Sequence, residues 1–171
     1  MRIILAAGFA LSLIACGEKP APESAAASAP ETATQAAVKS ADAAAWAAHV
    51  PWKSDSADVK KTGSGMEYIV LASGPADGVP PTAQQEVEVY YEGRFNAGGP
   101  AFDSAFERNE SATFSVGRVV PGFSEALQLM KPGDRWLVFI PSALGYGPEG
   151  RAPRIPPDTD LVFEIEMIGA R

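Results

Sequence analysis

Few side chains in this 171-residue sequence can do chemistry outright. There is one histidine, His49, and one cysteine, Cys16. A single Cys forms no intramolecular disulfide, and with a single His it does not complete a typical zinc or iron–sulfur site, so no metal or other cofactor is expected. No G-x-x-x-x-G-K-[ST] or G-x-G-x-x-G stretch is present to cradle phosphate. His49 falls in an alanine-rich stretch, which leaves a Ser-His-Asp triad without its base in the folded region. Glu86, Glu88, Glu164 and Glu166 recur at strand spacing and read as solvated faces rather than as a glycosidase pair. What remains is aromatic. Eleven of the fifteen Phe, Trp and Tyr residues lie between Tyr90 and Phe163, together with one Asp and several Tyr beside loops. Prolyl cis/trans isomerisation suits that inventory, because it breaks no bond and only rotates an amide over a barrier of about 18–20 kcal/mol. Water stabilises the planar, polar amide. An apolar pocket withdraws that stabilisation, and a few directed hydrogen bonds can hold the twisted form.

Such a pocket needs elements to position it, and the pattern supplies them. Glu67 to Ala72 reads as a strand, followed by a turn-rich loop through Gly74-Pro75 and Pro80-Pro81. From Glu86 to Tyr91 the residues alternate, with Val87, Val89 and Tyr91 on one face. Gly98-Gly99-Pro100 makes a loop, and Phe114 to Val116 a short strand. Val119-Val120-Pro121-Gly122 leads into a helix whose Phe123, Ala126, Leu127 and Met130 form one apolar stripe, ended by Pro132-Gly133. Arg135 to Ile140 and Leu161 to Ile168 read as strands, separated by a Gly- and Pro-rich loop from Pro141 to Asp160. Several strands, one helix, then two strands predict an α+β fold: an antiparallel sheet covered by one short helix. A loop of that length in a compact domain is functional or disordered.

The N-terminal region has another composition. Met1-Arg2 is a positive start, and the apolar run from Ile3 to Ile14 is too short for a bilayer span, so residues 1–15 read as an export signal. Leu13-Ile14-Ala15-Cys16 resembles the lipobox of bacterial lipoproteins. That resemblance implies lipidation of Cys16 and membrane attachment facing the periplasm, and Gly17 in place of Asp favours the outer membrane. Residues 17–50 hold 14 Ala among 34 positions with Pro20, Pro22 and Pro30, and read as a disordered tether with a frayed helix near Ser40 to Ala48. Trp46 and Trp52, on either side of His49, are expected to pack against the domain edge. Residues 51–64 form a lead-in, and the folded domain occupies 65–171. Fourteen Lys+Arg against 21 Asp+Glu give a net charge of −7, which argues against duplex nucleic acid.

Taken in order, Val89-Tyr90-Tyr91-Glu92-Gly93, Phe102-Asp103-Ser104, Phe114-Ser115-Val116-Gly117, Val119-Val120-Pro121-Gly122-Phe123, Ala143-Leu144-Gly145-Tyr146-Gly147 and Ile155-Pro156-Pro157 through Leu161-Val162-Phe163 closely resemble FKBP-type peptidyl-prolyl isomerases over about Gly65 to Arg171. The resemblance implies a twisted antiparallel sheet wrapped over one short helix. It implies a catalytic set of Tyr91, Phe102, Asp103, Tyr146 and Phe163, with Val119, Val120, Phe123 and Ile155 binding substrate. In that reading Phe123 is the floor, Tyr146 hydroxyl and Val120 N–H bond substrate carbonyls, and Asp103, held by Tyr91, orients the amide. Proline-containing unfolded or exported chains are the implied partners, and macrolides the implied inhibitors. Two departures stand out. The floor is Trp in most of the family and Phe123 here, which weakens the macrolide expectation, and Ala112 replaces an aromatic two residues before Phe114, which is expected to open one wall. Arg151 and Arg154 make the long loop basic. A binding module with the same fold and no turnover is the alternative function. The tether shows no sustained heptad, so a monomer is expected.

Overall fold

The structure is a computed structural model and describes residues 39–171. The stretches expected to be an export signal and a tether, with Cys16, lie outside the described residues up to residue 38. The elements are α1 (Ala43–His49), β1 (Lys60–Lys61), β2 (Glu67–Ala72), β3 (Glu86–Phe95), β4 (Asp103–Ser104), α2 (Ala105–Arg108), β5 (Ala112–Ser115), α3 (Pro121–Leu129), β6 (Arg135–Ile140) and β7 (Leu161–Ala170). The strands make one antiparallel sheet in the order β1-β2-β6-β7-β3-β4, with β5 also paired to β3. The architecture is the α+β arrangement expected, with two further short helices.

The ten-residue strands β3 and β7 are its spine, registered from Val87 opposite Ala170 to Phe95 opposite Leu161. Alternation decides their inner face: Val87, Val89 and Tyr91 from β3 meet Leu161, Phe163, Ile165 and Met167 from β7 in the main core. The helix α3 closes that core. Pro121 at its first turn has the φ a helix start needs and no N–H to leave unpaired. Phe123, Ala126 and Leu127 then present the expected stripe, and Met130 caps it, fully buried.

The opposite face of the sheet meets expectation in part: α1 stands in the stretch expected to be helical, and Trp46 and Trp52 pack against the domain. Residues 39–50, read from composition as the end of a tether, are a strap bound to the sheet. Asp42 N-caps α1, its side chain accepting from the Ala44 and Ala45 amides at 3.0 Å, and its own N–H donates to both Glu164 oxygens at 3.0 and 2.9 Å. Arg135 Nε donates to the same carboxylate at 2.6 Å, and Lys39 pairs with Glu166. Trp46, 3 % exposed, packs with Ile69, Leu137 and Val162 beneath the Arg94 guanidinium. Trp52 stacks on Phe139 at 5.7 Å and donates Nε1–H to Glu67 at 2.7 Å. One buried indole removes about 200 Å² of apolar surface, worth on the order of 5 kcal/mol before ordering costs, so a single Trp can dock a segment whose Ala content would leave it loose. The same strap corrects the reading of Glu164. It is fully buried rather than solvated; burial pushes its carboxyl up from the usual range, opposed by Arg135 and the Asp42 N–H.

Candidate active site

One strand register builds the centre of the site. Gly93 of β3 lies opposite Phe163 of β7 on one side and Asp103 of β4 on the other. The Phe102 N–H donates to the Gly93 carbonyl at 2.9 Å, which folds the Phe102 ring over the glycine. A Cβ at Gly93 would sit 2.5 Å from Phe102 Cζ and 2.7 Å from Phe163 Cε1, so only glycine lets both rings close on the strand. Their planes meet at 89° with centroids 5.7 Å apart. Phe123 enters from the first turn of α3 and meets Phe163 edge-on at 5.2 Å, Phe114 at 5.8 Å and Tyr91 at 6.4 Å. Edge-to-face contact of this kind fixes rings beyond what their burial contributes.

A polar pair sits beside these rings. The Tyr91 hydroxyl donates to Asp103 Oδ2 at 2.6 Å, and Arg108 Nη1 donates to Oδ1 at 2.7 Å. Local structure brings Arg108 back: Ser104 caps α2, its Oγ accepting from the Glu107 N–H at 3.0 Å, and the short helix turns the arginine onto the residue just before the cap. Burial, then the hydrogen bond to Asp103, pushes the Tyr91 phenol up to about 12, so it stays a donor at any physiological pH. Burial alone would raise the Asp103 carboxyl. The hydrogen bonds from Tyr91 and Arg108, with the charges of Arg108 and Arg154, outweigh it and hold Asp103 below the usual carboxylate range.

The loop from Pro141 to Asp160 forms the facing wall and is folded on itself. Asp160 Oδ1 accepts the Ser142 N–H at 2.8 Å, Arg151 and Ile155 bridge, and the Asp158 N–H donates to Gly147 O at 2.9 Å. Gly150, at φ 63°, faces the Ile155 carbonyl so closely that a Cβ would lie 2.5 Å from it. This framework holds Tyr146, whose hydroxyl accepts from Arg151 Nη1 at 3.3 Å. Val119 and Val120 complete the mouth. Val120 is the N-cap of α3 and has no side-chain oxygen, so no cap covers the first-turn amides.

All nine residues singled out in the sequence, Tyr91, Phe102, Asp103, Val119, Val120, Phe123, Tyr146, Ile155 and Phe163, line one cleft of about 640 Å³. Phe114, Arg118, Arg151, Ala152, Pro153 and Arg154 line it as well. Arg108 does not, and its hold on Asp103 was invisible in the sequence because α2 is a single short turn. Ala112 pairs with Val89 in β5, and its short side chain is not among those that line the cleft. Among the described residues no group of His, Cys, Asp and Glu could hold a metal ion.

Comparison with known proteins bears on the family and the fold. The family model described as FKBP-type peptidyl-prolyl cis-trans isomerase matches residues 78–168, more than half of the chain. The peptidyl-prolyl cis-trans isomerase Mip of Coxiella burnetii is 40% identical over 113 residues, 66% of this chain and 48% of the relative. The outer membrane protein MIP of Legionella longbeachae is 39% identical over 108 residues, 63% of this chain and 45% of that protein. A crystal structure of a peptidyl-prolyl cis-trans isomerase from Pseudomonas syringae superposes with a TM-score of 0.62 at 37% identity, covering 68% of this chain and 84% of that one. The chain spans about half the length of the curated relatives it matches. With the ordered motifs, the sheet and the cleft all in place, the chain belongs to the FKBP-type peptidyl-prolyl cis-trans isomerase family.

Proposed function

We propose that this protein is a peptidyl-prolyl cis-trans isomerase acting on Xaa-Pro bonds of exported polypeptides, without covalent chemistry. The observation that carries the reading is the convergence of an edge-packed aromatic floor with a carboxylate held by Tyr91 and Arg108. A proline ring seated against Phe123, Phe163 and Phe102 leaves water behind, which removes the solvation that favours the planar amide. Tyr91 and Arg108 hold Asp103 ionised at one edge of the floor, where it orients the twisting amide. The Tyr146 hydroxyl and the Val120 N–H accept the load of the flanking carbonyl oxygens by donating to them, and Val119 and Ile155 enclose the side chain before proline. With Phe in place of an indole at the floor, macrolides bind weakly. The export signal and the LIAC tetrapeptide support a protein attached through lipid on Cys16, facing the periplasm at the outer membrane, and acting as a monomer.

Uncatalysed Xaa-Pro exchange takes tens to hundreds of seconds, so catalysis is read directly as a faster relaxation. The wild-type chain is expected to accelerate exchange of a proline peptide, and the Asp103→Ala/Tyr146→Phe double variant to lose at least tenfold of that rate. Equal rates for the two proteins would overturn the reading. Client aggregation suppressed equally by both, with no acceleration by either, would mark a binding module instead.

A further inference from the structure

The charge of the cleft runs against the charge of the molecule. The chain carries a net −7, yet Arg118, Arg151 and Arg154 all line the cleft, and Asp103 is the one carboxylate that does. That carboxylate is already engaged by Tyr91 and Arg108. Among the described residues none of the three arginines forms an ion pair with an acidic side chain. All three are exposed. Arg118 stands at the turn before α3, whereas Arg151 and Arg154 stand in the long loop, so the positive charge comes from two separate elements. Arg151 also lies over the Tyr146 ring, 5.8 Å from its centroid, and its Nη1 bonds the Tyr146 hydroxyl. Glu149, on the same loop, does not line the cleft.

Arginine presents a planar fork of donors matched to a carboxylate, and it keeps its charge at every relevant pH. Three guanidinium groups without an acidic partner among the described residues, at the mouth of a cleft, focus a positive field that both attracts an acidic chain and gives its side chain a partner. We infer that the cleft selects proline segments with an Asp or Glu side chain within two residues of the proline, and that Arg118 and Arg154, with Arg151, read that carboxylate. The inference rests on the isomerase reading of the cleft and deepens it by naming the substrate class. An acidic host protein would otherwise repel such segments, so the local reversal of sign decides which clients reach the floor.

The test uses the full chain and three peptides identical except beside the proline: Glu before it, Glu after it, and Gln at both positions. At low salt at least one Glu peptide is expected to exceed the Gln peptide about fivefold in kcat/KM, as three exposed charge contacts allow. The advantage should shrink toward parity at about 1 M salt, where the Debye length falls to about 3 Å. It should shrink likewise in the R118Q/R154Q variant. Equal kcat/KM for Glu and Gln peptides, or an advantage that neither salt nor the variant reduces, overturns the inference. The salt series needs no variant, so a misfolded double substitution does not block the decision. If no peptide is turned over, the isomerase reading fails. Fluorescence anisotropy of the labelled peptides then decides the charge preference by itself: tighter binding of a Glu peptide sustains it and equal binding sinks it.

Discussion

At the scale of single residues the site is organised around one carboxylate. Asp103 is held by a tyrosine from β3 and an arginine from α2, and both partners favour its charged form. A carboxyl whose pKa is lower in the folded than in the unfolded chain stabilises the fold above its unfolded pKa of about 3.9, and that contribution is lost as pH falls through the lowered folded value. Wild-type protein is therefore expected to lose its stability advantage over Asp103→Asn progressively as pH drops below about 4. Urea midpoints measured from pH 7 to pH 2 check this, and a difference that stays constant over the range would refute it. Tyr91, pushed up to about 12, does not titrate in that window and cannot mimic the effect.

At the scale of elements, the strap on the outer face of the sheet and the cleft on the inner face share one strand. On β7, Phe163 points to the cleft and Val162 and Glu164 to the strap. Trp46→Ala is expected to cost about 3 kcal/mol of stability through the cavity it leaves, while proline exchange at low temperature stays near the wild-type rate. Denaturant midpoints and an exchange assay at 10 °C check both halves; a collapsed rate with an unchanged midpoint would contradict the separation. Most of the sheet was legible because period-two alternation is a local signal. The strands at Glu67–Ala72 and Arg135–Ile140 stand where the pattern put them, and α3 follows its stripe. The strap was legible in part: a helix near Ser40 to Ala48 and the packing of Trp46 and Trp52 against the domain were expected, but a window dominated by Ala and Pro hides how firmly one buried Trp and one N-capping Asp fasten the segment once a sheet is there to receive them. Glu164 was misread for the same reason: alternation tells which face a side chain points to, but not whether something else covers that face. The cleft residues came from ordered motifs. Arg108 and the role of Gly93 came only from three-dimensional register.

At the scale of the whole molecule, a net charge of −7 goes with a basic-rimmed cleft and with an N-terminal sequence in which the LIAC tetrapeptide ends at Cys16. If Cys16 carries the lipid, Cys16→Ser is expected to abolish labelled palmitate incorporation and to shift the protein from the membrane pellet to the soluble fraction, with no change in the exchange rate of purified protein. Fractionation after labelling checks this, and a variant that stays in the pellet with its label intact would contradict it. The strap gives such attachment a mechanical meaning. Lys39, Ser40 and Asp42 are fastened to Glu166, Arg135 and Glu164, at interior strands of the sheet on the face turned away from the cleft. A drag arriving from the N-terminal side is thus borne by ion pairs and amide bonds at the back of the sheet, like strain relief on a cable. The aromatic cleft on the other face of the sheet carries none of that load, so a pull on such an anchor would leave the proposed proline site undeformed.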